Sequence, residues 1–312
     1  MPSLFNRLPV ELVCHVFHLA SASSRNSCLA ICLVASWARQ IAVPHLFHTA
    51  VIKDDIAYAK FEKYIADSSY MLANFGFHPA SVVNGVWMEG AKPWHCHRIW
   101  TIFEACDDIT HLALQMNFFF QLVRSSSPAV VLRAGEKRIS RRALMRNQDL
   151  HITVLDAQSF NWALIEYDQV EVRHRSPIFD KVTHIRLPVI GSYKTQTSLN
   201  CFSLNCFSRL SHISVPYYLD DYHKARHLEP FLKMKSLKML VIAVTRDAIR
   251  EATWKQLEKW VRKTRETDDR VYIVERHSVY FRDEWEEETR GGERIWDRAV
   301  RYTNEWDRRV TA

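Results

Sequence analysis

Thr110-His111-Leu112-Ala113-Leu114, Thr183-His184-Ile185-Arg186-Leu187 and Ser211-His212-Ile213-Ser214-Val215 are three versions of one phrase. A phrase that returns along a chain is the signature of stacked units. Working outward, β-rich runs occupy Phe47–Ile52, Ser81–Trp87, Thr110–Leu114, Leu150–Leu155, Val182–Leu187, Leu210–Val215, Leu237–Ala243 and Val271–Val274. They recur at roughly 27 to 41 residues, a period that suits one strand and one helix per unit. Helix candidates lie between them. Ile56–Ala66 and His97–Ala105 are two. Arg246–Thr264 places Ile249, Ala252, Thr253, Leu257, Trp260 and Val261 on one stripe, and Arg294–Trp306 does the same with Ile295, Trp296, Ala299, Val300 and Thr303.

One strand plus one helix per unit implies parallel strands, because each connection must cross over. A unit of that size cannot bury its apolar face alone, so neighbours stack. The expectation is an α/β chain in which residues 47–312 form an irregular leucine-rich-repeat-like solenoid, a curved sheet with helices outside. An ordinary doubly wound α/β domain is the competing architecture. Equivalent strand positions would line up, so His111, His184 and His212 should form a hydrogen-bonded row, with a functional row as the sharper alternative.

The first 46 residues have a different texture. Leu8–Ala20 reads as a short helix, with Pro9 at a position where its missing N–H costs nothing and Glu11 favouring the helix dipole. Leu12, Val13, Val16 and Leu19 fall at helical spacing. Ser21–Ser27 is polar and small and reads as a loop. Cys28–Ala42 reads as a second helix, apolar at every position from Cys28 to Ala35, with Pro44 as its stop. So short a segment cannot build a sufficient core by itself. Surplus apolar surface on a small module marks a protein-binding site, unless the downstream domain covers it.

Composition narrows the function. The chain has 312 residues, 47% hydrophobic and 25% charged, which is a folded rather than a disordered balance. No apolar run approaches the roughly 18 residues of a membrane span. Met1–Arg7 lacks the features of a signal peptide. Seven scattered cysteines, with Cys14, Cys28 and Cys32 inside apolar segments, point to a reducing compartment, cytosol or nucleus. Glycine is scarce, at 7 residues, and phosphate-cradling loops need it in clusters. No P-loop, GxGxxG or GxSxG stands in the sequence, so nucleotide enzymes and α/β-hydrolases are disfavoured and no cofactor is expected.

The net charge of +7 is partly local. Arg124, Arg133, Lys137, Arg138, Arg141, Arg142 and Arg146 face only Glu136, while Asp283–Glu288 is biased the other way. A solvated basic segment is the plain reading, and binding to acidic protein or nucleic acid the sharper one. His95-Cys96-His97 lacks the second ligand pair that zinc requires. His15 and His18, at i and i+3, read as flanks of a packing face. Asp220-Asp221 and Glu286-Glu287-Glu288 read as turn and helix-surface charges. Trp254, Trp260, Trp296 and Trp306 sit on helical stripes and read as core. No catalytic and no metal site is assigned.

Leu8-Pro9-x-Glu11-Leu12, then Val16-Phe17, Leu29, Leu33-Val34-Ala35-Ser36-Trp37-Ala38 and Pro44-x-Leu46-Phe47 together resemble an F-box. The sequence departs from that pattern at Ala35, often serine or cysteine there, and at Ser36, often arginine or lysine. Cys106-Asp107-Asp108-Ile109-Thr110-His111-Leu112, Lys235-Ser236-Leu237-Lys238-Met239-Leu240 and Arg290-Gly291-Gly292-Glu293-Arg294-Ile295-Trp296 are similar to the repeat domains of F-box-like proteins from mushroom-forming fungi. The resemblance implies an F-box-like helical module over residues 1–46, and a non-catalytic adaptor. Leu8, Pro9, Leu12, Val16, Leu29, Leu33, Val34 and Trp37 would belong to its helices, some in the core and others meeting a Skp-type linker of a cullin ubiquitin ligase. The repeats would hold an unknown protein substrate. A scaffold without a ligase role is the alternative, and a nucleic-acid binder a weaker one.

Overall fold

The structure is a computed structural model that describes residues 8–66, 69–90, 98–128, 138–146, 149–155, 176–187, 206–217, 228–245, 249–276 and 281–311. Eight strands form one sheet: β1 (Thr49–Ile52), β2 (Gly85–Met88), β3 (His111–Leu114), β4 (Leu150–Val154), β5 (Val182–Arg186), β6 (His212–Tyr217), β7 (Met239–Val244) and β8 (Val271–Glu275). Their order in space is their order in sequence, and every pair is parallel. The chain is therefore α/β with an all-parallel sheet. A doubly wound sheet reverses its strand order at a switch point; this one has no such reversal.

All eight strand expectations fall on strands, with shifted ends. The first run starts as strand only at Thr49, because Phe47 still belongs to a helix. The second is strand from Gly85, since Pro79–Ser81 forms a 3-10 turn capped by the His78 ring.

Twelve helices accompany the strands among the described residues. They are α1 (Val10–Ser23), α2 (Arg25–Cys32), α3 (Ser36–Phe47), α4 (Asp55–Ala66), α5 (Ser69–Phe75), α6 (Ile99–Ala105), α7 (Met116–Ser126), α8 (Arg141–Met145), α9 (Glu229–Leu232), α10 (Glu251–Arg265), α11 (Phe281–Thr289) and α12 (Ile295–Thr311). On one sheet face Val86, Leu112, Ile152, Ile185, Ile213, Leu240 and Val271 align in register, all essentially buried. Tyr58 of α4, Ile102 of α6, Phe118 of α7 and Leu257 of α10 complete that core. In α10 the stripe Thr253, Trp254, Leu257 and Val261 faces inward, as its spacing requires.

The other face is not open, which corrects the picture of helices on the outside only. Trp285 of α11 packs on Trp87 and Ala113, and Ile295, Trp296 and Ala299 of α12 pack on Met239, Val241, Ala243 and Val274. Parallel sheets are stable when both faces are covered, and here the last two helices provide the second cover. Gly85 permits the close approach: a Cβ there would lie 2.3 Å from Thr289 Cγ2. At the β8 edge, buried Thr303 accepts from the Ile273 N–H at 2.9 Å and donates to the Ile273 carbonyl at 3.0 Å. That removes a pair of open backbone groups from an otherwise unprotected strand.

The N-terminal helices differ from the expectation in three places. Ser21–Ser27 is not a loop. α1 runs on to Ser23, and Ser24 caps α2 by accepting from the Ser27 N–H at 3.0 Å, so the serines make a sharp helix junction. Cys28–Ala42 is two helices, broken where Ala35 turns extended (φ −161°, ψ 163°). Arg39 Nε donates to the Cys32 carbonyl at 3.0 Å and so relieves one orphan group at the break. Pro44 does not stop α3; it lies inside it. It forfeits one N–H bond close to the helix end, while the packing of Ala38, Ala42 and Leu46 into the module's core holds the helix together.

Candidate partner-binding face

Helices α1–α3 share a small core of their own: Cys28, Ile31, Ala38 and Ala42, with Phe17, Ala20, Cys32, Ala35 and Leu46 packed on it. Small residues predominate because three short helices must approach closely. The Phe17 and Trp37 rings stack at 5.1 Å. Cys28 Sγ donates to the Ala42 carbonyl at 3.0 Å, and burial pushes its thiol up to about 11, so it behaves as a small hydrophobe.

α1 is apolar on two sides. Val13, Phe17 and Ala20 are turned inward at helical spacing, and Leu12, Val16 and Leu19 are turned outward. Sequence alone could not divide the eight singled-out residues between core and surface. The structure places Leu8, Pro9, Leu12, Val16, Leu29, Leu33, Val34 and Trp37 all outside the core. The seven large ones keep between 43% (Trp37) and 83% (Leu33) of their surface exposed. Val10 and Leu19 are exposed with them and were not singled out; their outward helical positions were the available signal. Of 13 exposed large hydrophobic residues among those described, nine lie between Leu8 and Trp37, so the exposure is local to this module. Single exposed hydrophobics need no explanation, but a concentration does.

The module meets the sheet through the α3–β1 junction. Arg290, at the end of α11, donates to the His45 carbonyl at 2.8 Å and pairs with Glu286 at 3.3 Å. His45 Nε2 and His18 Nδ1 lie 3.0 Å apart between α1 and α3. Burial, then His18, pushes His45 down to about 4, so the His45 ring is uncharged at neutral pH. His15 is exposed.

A second polar assembly lies under α11 and α12. His111, His184 and His212 align in register as expected, and His151 joins them between His111 and His184. The missed member stands in Leu150-His151-Ile152-Thr153-Val154, which shares the His-aliphatic-x-aliphatic core of the phrase but lacks its leading hydroxyl. Ring centroids are 4.5, 3.9 and 4.2 Å apart along the row. Thr110, Thr183 and Ser211 each place a hydroxyl 2.7–2.9 Å from the Nδ1 of the next residue. Burial pushes His111 down to about 3, His151 to about 4 and His184 to about 2, and neighbouring rings and Arg294 add to the effect.

Beside the row, Arg186 of β5 pairs with Glu284 at 2.9 Å and Glu288 at 3.0 Å, and Arg298 also meets Glu284. Glu288 is thus not a helix-surface charge. Burial would raise the Glu284 carboxyl, but Arg186, Arg298 and Arg276, the last at 3.8 Å, hold it below the ordinary range, whereas burial wins at Glu288 and raises it.

Three of the five described cations of the basic stretch are engaged by the protein itself. Arg146 donates to the Phe103, Glu104 and Cys106 carbonyls at the end of α6 and pairs with Asp107. Arg138 donates to the Ser127 carbonyl, and Arg124 lies over the Phe120 ring. Arg141 and Arg142 are exposed; Arg133 and Lys137 lie outside the described residues, as do His95-Cys96-His97 and Asp220-Asp221. Trp254, Trp296 and Trp306 are buried, and Trp260 is half-buried. Among the described residues no three His, Cys, Asp or Glu side chains form a group that could hold a metal, and no helix is long and apolar enough to cross a membrane.

No protein-family model matches this chain, and no curated protein matches it significantly. The class that the fold itself defines is an α/β protein with an eight-stranded all-parallel sheet, joined to three N-terminal helices that carry an exposed apolar face.

Proposed function

We propose that the chain is a substrate-recruiting adaptor of a cullin-type ubiquitin ligase, acting in the cytosol or nucleus. Helices α1–α3 form an F-box-like module that docks a Skp-type linker through Leu8, Pro9, Leu12, Val16, Leu29, Leu33, Val34 and Trp37. The leucine-rich-repeat-like body holds the protein to be modified. One observation carries the reading: the eight residues singled out from the F-box resemblance are all left uncovered, while Cys28, Ile31, Ala38 and Ala42, with Phe17 and Leu46 against them, make the module's core. The body supports it too, since consecutive, parallel, sequentially ordered strands are what stacked units produce. Catalysis would be by proximity alone, raising the effective concentration of a target near a conjugating enzyme.

The test is co-purification with a Skp-type linker. Leu12→Glu and Val34→Glu remove capture, and because both side chains already face water, stability stays within about 0.5 kcal/mol of the parent. Capture that survives both substitutions refutes the docking assignment. Normal folding with no capture by the parent chain refutes the ligase role and leaves a scaffold.

A further inference from the structure

The two faces of the sheet are built from different chemistry. Beneath α4, α6, α7 and α10 the aligned positions from Val86 to Val271 are aliphatic. On the opposite face, strands β3–β6 present four histidines, Thr153, Arg186 and Ser214. Permanently covered parallel sheets are apolar, because polar groups without partners are costly to bury. This stretch is made for charged and polar contact.

What lies on its β2–β5 part is α11, a segment with five carboxylates and one guanidinium, Phe281-Arg282-Asp283-Glu284-Trp285-Glu286-Glu287-Glu288-Thr289, while Trp296 of α12 covers His184 and His212 at 5.2 and 5.4 Å between ring centroids. Its carboxylates Glu284 and Glu288 reach Arg186, and Trp285 meets Trp87 with ring centroids 5.4 Å apart. The fit is incomplete. Among the described residues, buried Trp87 Nε1 and Ser214 Oγ find no hydrogen-bond partner. A cavity of about 20 Å³, room for one water, remains between the histidine row, Arg186 and the covering helices. Burial raises the Glu288 pKa, so seating that carboxylate works against its ionisation. α12 has its own anchors, an apolar contact with β7 and β8 and Thr303 on the β8 edge, so release of α11 breaks its Arg186 and Arg298 pairs, the Arg290 contact and the Trp285 packing but not those anchors.

We propose that the part of this face from Trp87 of β2 to Arg186 of β5 is a docking surface for an acidic, tryptophan-bearing helix of a partner protein, and that α11 occupies it in cis as a competitor. The charge complementarity between Arg186 and the α11 carboxylates, with Trp87 as the aromatic seat, defines what an incoming helix must carry. The proposal rests on the target-binding half of the adaptor reading and is independent of the N-terminal face.

The test uses the full chain and a fluorescent, end-capped peptide of residues 281–289, read by anisotropy with no linker protein present. Trp285→Ala, which loosens the resident helix, is expected to bind the peptide at least tenfold more tightly than the parent. Adding Arg186→Glu removes that binding. Affinity equal within twofold in parent and Trp285→Ala overturns the proposal. Hydrogen exchange on the parent chain is the second measurement, needed if Trp285→Ala does not fold. Amides of α11 should exchange at least tenfold faster than those of β5, and equal protection overturns the idea. Failure here leaves linker capture unaffected, so the two readings are separable.

Discussion

Lowering the pH from 7 to 5.5 should destabilise this protein steeply, through the histidine row. His111, His151 and His184 have folded-state pKa values pushed down to about 3, 4 and 2, against an ordinary value near 6.5. As pH falls, the unfolded chain takes up these protons before the folded one. The stabilising contribution is therefore complete above about pH 6.5 and is lost on the way down towards the folded pKa values. At pH 5.5 each ring forfeits roughly 1.3 kcal/mol, so the three together forfeit about 4 kcal/mol. That is a large part of a typical stability of about 5–15 kcal/mol.

The groups facing the row reinforce the direction. Arg294 and the neighbouring rings oppose protonation, and Lys238 does so at His212, whereas Asp149 favours it at His151. Glu288 works the other way, because its raised pKa lets the folded state bind a proton first. The assay is urea denaturation at half-unit pH steps. With a slope of about 3 kcal/mol/M, the midpoint should fall by more than about 1 M between pH 7 and 5.5. His184→Asn, whose amide oxygen can replace Nδ1 beside the Thr183 hydroxyl, should remove about 1.4 kcal/mol per pH unit from the slope below pH 6. An unchanged slope in His184→Asn would refute the assignment of the pH dependence to the row.

Two further outcomes follow from packing. Gly85→Ala forces a methyl to within 2.3 Å of Thr289 Cγ2 and should cost about 1–3 kcal/mol, most of it recovered by adding Thr289→Ser; a thermal melt of the double variant no better than the single one contradicts the close-approach account. Thr303→Val leaves the Ile273 N–H and carbonyl on the β8 edge unpaired and should cost about 1–3 kcal/mol in chemical denaturation, whereas a loss below about 0.5 kcal/mol would mean that the edge is already solvated.

The strand positions were legible in the sequence because each β-rich run is short, strongly apolar and separated from the next by a helix-sized interval. That spacing already implied parallel pairing, and the recurring phrase already implied that His111, His184 and His212 would align. Helix ends were less legible. Ser24 and Pro44 act through local hydrogen bonding and tertiary packing, and a propensity reading assigns them to loop and stop when the structure uses them as cap and interior. The apolar surplus of the first 46 residues was legible as composition. Which of its side chains face water was not, because α1 is apolar on two sides and only the packing of α2 and α3 selects Phe17 over Val16 for the core.

What the sequence by itself determined is the order of alternating strands and helices, since periodicity and spacing are local properties of the chain. What only the tertiary structure decided is which surfaces those elements cover. Read from sequence, the acidic run Asp283–Glu288 and the helix Arg294–Trp306 have no stated place. Their destination, the polar face of the sheet and its last edge, depends on Arg186, Gly85 and Ile273, which lie far away in sequence and come within reach only once the strands have stacked.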